Sequence, residues 1–220
     1  MPNRDRWETI PEAPLPVRHL ILSYIAGIMF RVRSNFPEAK FMTVDELIDD
    51  LLDREGGYVH HPADRGGATC WGITEAVARA NGHAGPMRML SRATAADIYR
   101  RLYWFRPGYD RVAARAPLLA AELFDTAANM GADTASAFLQ RALNALNRGA
   151  SDFPDLRVDG RIGGATLAAL DAFAARRGRG GEQVLLKAVE ALQGERYLTL
   201  AERRPANEAF LYGWLASRLG

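Results

Sequence analysis

Five glycines fall between positions 56 and 72 (Gly56, Gly57, Gly66, Gly67 and Gly72), in a chain whose remaining patterning is helical. A cluster this dense is incompatible with a helix interior, where each glycine costs roughly 1 kcal/mol relative to alanine. Tyr58-Val59 and Ala68-Thr69 are bracketed by these glycines, and Pro62 with Asp64-Arg65-Gly66 marks a turn. The segment reads as a small β-hairpin with a wide loop. It follows directly on a helix: Thr43-Val44-Asp45-Glu46 is a capping box, Leu47, Ile48, Leu51 and Leu52 make one apolar face, and Gly56-Gly57 ends it. Glu55 is thereby fixed at the C-terminal end of that helix, beside the core. The helix dipole is negative there, and partial burial adds desolvation. Both favour the protonated carboxyl, the form a general acid needs near neutral pH.

Downstream the chain is helical with clear punctuation. Thr74 caps a helix to about Ala80, and Thr94-Ala95-Ala96-Asp97 opens another through Tyr103. Pro117 starts a helix ending near Gly131, and Asp133 or Thr134 caps the next, with Phe138, Leu139, Leu143 and Leu146 as its stripe. Asp159-Gly160 is a turn before a helix from Gly163-Gly164 to about Ala175. Gly178 to Gly181 reads as a loop, and helices over 184–200 and 207–219 complete the set.

With 220 residues, 48% hydrophobic and 25% charged, the chain can bury a sizeable core, which excludes disorder and disulfide-rich scaffolds. A net charge of +2 gives no strong field for nucleic acid, so no nucleic-acid partner is expected. The single cysteine, Cys70, forms no intramolecular disulfide and reads as a small core residue. Four scattered histidines beside it supply no zinc pattern, so neither metal nor other cofactor is expected.

The N-terminus stands apart. Leu20 to Phe30 is the most apolar run, but its 11 residues fall short of the roughly 20 a spanning helix needs. Its length would suit a signal peptide, yet Glu8, Glu12, Pro11, Pro14 and Pro16 precede it and no small-residue cleavage site follows. It reads as a short helix packed on the main domain or on a partner, and Ser34 to Lys40 as a linker. Met42 is a candidate natural start. The chain is read as an N-terminal extension (1–41), a lobe of helix and glycine-rich hairpin (42–115) that holds Glu55, and a helical lobe (116–220).

Glu55-Gly56-Gly57-Tyr58-Val59, Asp64, Gly66-Gly67, Thr69 and Gly72-Ile73-Thr74 together resemble glycoside hydrolase family 108, lysozyme-like N-acetylmuramidases that cut peptidoglycan. The resemblance continues through Asp125, Asn129, Gly131 and Leu139-Gln140, then Asp159-Gly160, Ile162-Gly163, Thr166-Leu167 and Gly213-Trp214-Leu215. This second part is similar to the predicted peptidoglycan-binding region of that family. The resemblance implies a mainly α, lysozyme-like fold with a small β-hairpin after the catalytic helix. It also implies Glu55 as catalytic acid, with Asp64 and Thr69 on the hairpin in the order seen in phage-type lysozymes. The chain departs from the usual pattern at Ala68, at Cys70-Trp71 and at His60-His61, which bears on subsite preference and on where the water sits.

Glycosidic cleavage needs a proton donor for the leaving oxygen and a carboxylate to stabilise positive charge or to direct water. Glu55 suits the first role and Asp64, on a polar loop, the second; the Thr69 hydroxyl could hold the water. Tyr58, Asp125 and Asn129 are candidate substrate-binding residues. Each also has a plainer reading: Asp64 as a turn former, Thr69 as a strand residue, Tyr58 and Trp71 as hairpin core, Asn129 as a side chain bonded to nearby backbone. The expected partner is the glycan strand of peptidoglycan, and the expected place of action is the periplasm or cell wall. Without a convincing export signal, a membrane or holin-like partner would provide the route. Oligomeric state is left open. A lytic transglycosylase and a non-catalytic wall-binding, secretion-assisting protein are the competing functions. Asp64 and Thr69 weigh against the former and Glu55 against the latter. Single displacement with inversion is the favoured chemistry.

Overall fold

The computed structural model describes residues 42–60 and 67–218. The N-terminal extension with its Leu20–Phe30 run, and Asp64 in the wide loop, lie outside the described residues. Helix α1 (Val44–Glu55) begins where the capping box puts it: Glu46 donates its amide to Thr43 Oγ1 at 3.2 Å, and the Glu46 carboxylate accepts the Thr43 amide at 2.8 Å. Leu47, Ile48, Leu51 and Leu52 are buried, each contributing roughly 1.5–3 kcal/mol. Gly56 ends the helix at φ +72°, a conformation that costs glycine nothing.

The glycine-rich segment forms three short strands rather than two: β1 (Tyr58–Val59), β2 (Thr69–Cys70) and β3 (Ile73–Thr74), antiparallel in that order. Trp71 and Gly72 join β2 to β3 with φ of +54° and +73°, as a two-residue primed turn requires. The third strand is hidden in the sequence because Thr74 has two jobs. It ends β3, and its hydroxyl accepts the Val77 amide at 3.3 Å to cap α2 (Glu75–Ala80). Cys70 is buried in the core as expected, and burial pushes its thiol pKa up.

Helix α3 (Arg92–Tyr99) starts three residues earlier than the Thr94 signal suggests. Ser91 is its cap, accepting the Thr94 amide at 3.1 Å, while the Thr94 hydroxyl pairs with Ser91 Oγ. The chain then widens into a π-helical turn over Arg100–Phe105, a feature without a local sequence signature. A short helix α4 (Tyr109–Ala113) also goes unforeseen.

Helices α5 (Pro117–Met130) and α6 (Ala132–Ala145) follow. Neither Asp133 nor Thr134 caps α6; Gly131 occupies the cap position and no side chain closes it. Helix α7 (Gly164–Arg177) leads into α8 (Gly181–Arg203) through one 3₁₀ turn over Gly178–Gly180, where a loop is expected, and α9 (Glu208–Arg218) is last. Helix α5 lies at the centre, against α4, α6 and α8. Its first turn lacks a local cap, and Glu182 of α8 supplies one by accepting the Leu118 and Leu119 amides at 2.8 and 3.2 Å. Buried residues from Leu47 to Trp214 form one continuous core. Among the described residues, no helix is long and apolar enough to cross a membrane.

Three separate pieces of the second sequence pattern meet at one side chain. Gln140, 2% exposed, accepts the amides of Asp159 (3.0 Å) and Gly160 (2.9 Å). Its Nε2 donates to Asp159 Oδ1, the Arg161 carbonyl and Thr166 Oγ1. Gly160, at φ +71°, passes so close to α6 that a Cβ would lie 2.7 Å from the Asp133 carbonyl oxygen. The Gln140 hydrogen bond holds the Asp159 carboxyl below its ordinary 3.8, aided by the Arg161 amide and the nearby Arg157 and Arg161 charges. A lowered folded pKa means stability that is full above 3.8 and lost as pH falls through the folded value. Asp159→Asn should therefore melt below wild type at pH 7. The gap should close as the pH drops under 3.8; thermal melts across that range check it, and a pH-independent gap contradicts it.

Candidate active site

Glu55 is the last residue of α1, and the β2–β3 turn lies directly against it. A Cβ added to Gly72 would sit 2.9 Å from Glu55 Cγ and 2.4 Å from Tyr99 Oη. One glycine thus lets turn, acid and tyrosine come together. Tyr99 donates its hydroxyl to the Trp71 carbonyl at 3.2 Å and packs its ring on Tyr103 at 5.4 Å. Trp71 is held from two further directions. Its indole Nε1 donates to the Leu90 carbonyl at 3.0 Å, and the Arg92 guanidinium lies 5.6 Å above its ring. Arg92 also reaches back to α1, donating to Asp53 Oδ1 at 2.7 Å and to Asp49 Oδ1 at 3.1 Å. The start of α3 therefore clamps the last turns of α1 to the turn that faces Glu55.

Each sequence candidate has a definite place, apart from Asp64 outside the described residues. Thr69 lies in β2, paired with Val59 and Thr74, and is 8% exposed. Tyr58 in β1 is 44% exposed, open to a ligand. Trp71, by contrast, is tied into the scaffold. Asp125 is on α5 and pairs with Arg54 Nη2 at 2.7 Å, joining α5 to the end of α1 next to Glu55. Asn129 donates to the Asp125 carbonyl at 2.8 Å, the plainer of its two readings, and also approaches Asp125 Oδ2 at 3.4 Å. The cavity beside Arg54 and Asp125 is about 20 Å³, room for one water and not for a sugar ring. Arg54, Gly72, Arg92 and Tyr99 join the site without a local sequence signal that marks them as site residues. Among the described residues, no group of three or more His, Cys, Asp or Glu is arranged to hold a metal.

Residues 48–131 match the family model Glycosyl hydrolase 108, and residues 134–219 match the family model Predicted Peptidoglycan domain. The chain joins a glycosyl hydrolase 108 region to a predicted peptidoglycan domain. The solved structure of Brucella abortus SagA is similar, with 28% identity and a TM-score of 0.51 over 76% of this chain and 95% of that one. No curated protein matches. The resemblance read from the residues and the mainly α, lysozyme-like fold therefore both hold: this is a lysozyme-like protein of peptidoglycan-acting type. Glu55, the sheet, the Arg92 clamp and Asp125 all fall within the glycosyl hydrolase 108 region.

Proposed function

We propose that the protein is an N-acetylmuramidase that cleaves the β-1,4 bond between N-acetylmuramic acid and N-acetylglucosamine at the cell wall. The observation that carries this reading is Glu55. It ends a helix with one buried face within the glycosyl hydrolase 108 match, and a Gly72 turn backs it closely enough to exclude even a methyl group. Glu55 gives its proton to the leaving glycosidic oxygen. Asp64 accepts a proton from the attacking water, which Thr69 orients, and Tyr58 offers an exposed ring to the sugar. Asp125, with Asn129, acts from the rim by holding Arg54 beside the acid. Residues 42–115 supply the catalytic lobe, and 116–220 the lobe that holds the wall.

The proposed reaction is single displacement with inversion, for which the two carboxyl groups stand about 6.5–9.5 Å apart with a water between. Digested walls should yield reducing N-acetylmuramic acid ends, read by mass spectrometry. Anhydro-muramic ends would mean transglycosylase chemistry, and reducing N-acetylglucosamine ends would place the cut at the other bond. The first anomer formed, followed by NMR before mutarotation, separates inversion from retention.

A further inference from the structure

Well away in sequence from Glu55, an open groove of about 550 Å³ lies between the 153–163 segment and the first turns of α7. Its apolar lining is made mostly of small residues: Pro154, Ala165 and Ala168 are exposed there, beside half-buried Leu156. Its charged groups divide into two sets. The acids are turned to structural work, with Asp155 accepting from Asn147 at 2.8 Å and Asp159 from Gln140 at 2.9 Å. The bases are less committed: Arg157 and Arg161 are exposed on the lining, and although both charges favour ionised Asp159, neither guanidinium makes a direct ion pair or hydrogen bond among the described residues. The segment that carries them is rigid, because buried Gln140 ties Asp159, Gly160, Arg161 and Thr166 together.

We propose that this groove binds the stem peptide of peptidoglycan, a second contact with the wall apart from the cleavage site. The proposal rests on the wall-directed reading above. A sugar strand is recognised mainly by flat aromatic surfaces, yet the one aromatic residue on this lining, Phe153, is buried. A stem peptide offers what the groove complements: methyl side chains of L- and D-alanine for the small apolar floor, and free carboxylates for two unpaired guanidinium forks. Such pairs are stronger than neutral hydrogen bonds, and arginine matches the carboxylate plane.

The test is NMR titration of the labelled full chain with a synthetic stem tetrapeptide ending in D-alanine. Shifts are expected at Arg157, Arg161, Ala165 and Ala168. Arg157→Gln with Arg161→Gln should weaken binding at least tenfold. Wild type should lose as much when the peptide's carboxylates are converted to amides, an arm that requires no variant to fold. Glu55→Gln should bind the peptide as wild type does, so a failure of the catalytic assignment leaves this result standing. Undiminished binding of the amidated peptide, or shifts confined to other surfaces, overturns the proposal. So do groove shifts produced by chitotetraose instead, which would make it a glycan site. Contacts from residues 1–41 in the peptide-free protein, or concentration-dependent shifts there, would assign the groove to the chain's own segment or to a second copy, and equally overturn it.

Discussion

Glu55→Gln should lower wall-lytic activity by at least about 100-fold while the protein stays folded. The substitution preserves size and shape at the end of α1 and removes only the transferable proton, and general acid catalysis typically contributes about 10²–10⁴-fold. Turbidity of purified cell walls reads the activity, and far-UV circular dichroism with a thermal melt reads the fold. Pelleting with walls should show that the variant still binds them. Near-normal lysis by the Gln variant would remove Glu55 from the mechanism. Loss of lysis together with loss of the melt would show that the carboxylate is structural.

Gly72→Ala should also damage activity, less than Glu55→Gln does, although residue 72 has no chemistry of its own. At φ +73° an alanine is strained, and its methyl would meet Tyr99 Oη at 2.4 Å and Glu55 Cγ at 2.9 Å. The tyrosine cannot retreat cheaply, since its hydroxyl is bonded to the Trp71 carbonyl and its ring rests on Tyr103. The turn and the Glu55 side chain must therefore shift relative to each other. Overpacking of this kind costs about 1–3 kcal/mol, and misplacing a catalytic group by about 1 Å can cost about 100-fold in rate. A fall in lytic rate of about tenfold to a hundredfold is expected, with a lower melting temperature. Adding Tyr99→Phe removes the nearest clashing atom and should restore part of the melt. A Gly72→Ala protein with wild-type rate and melt would show that turn and acid are not in the contact described.

What was legible in the sequence depended on distance along the chain. The capping box and the Gly56-Gly57 stop act across three or four residues, so α1 and the position of Glu55 at its end could be read directly. The Arg92 clamp could not, because its partners on α1 lie 39 and 43 residues away, and Tyr99 finds Trp71 across 28. Ser91 is masked as a cap because Thr94 offers the same chemistry three residues on; both hydroxyls take part in the cap, and only the backbone decides which one leads. The motif fragments at 139–140, 159–160 and 166 were visible one by one, and their common origin in the reach of Gln140 was not. Asp125 carried a sugar-binding expectation that took no account of Arg54, whose pairing to it only the packing of α1 on α5 creates.

The shared core limits how this protein can be inherited and rearranged. Arg115 bonds Asp171, Glu182 caps α5, and Gln193 of α8 donates to buried Thr126 of α5. Cutting the chain between the two matched regions would strip α6 and α8 from α5 and leave the start of α5 uncapped. The C-terminal region is thus no detachable cassette that recombination could append to an unrelated hydrolase, as an independently folded wall-binding repeat could be. Any change in the reach between the two regions would have to reshape packed helices rather than lengthen a tether.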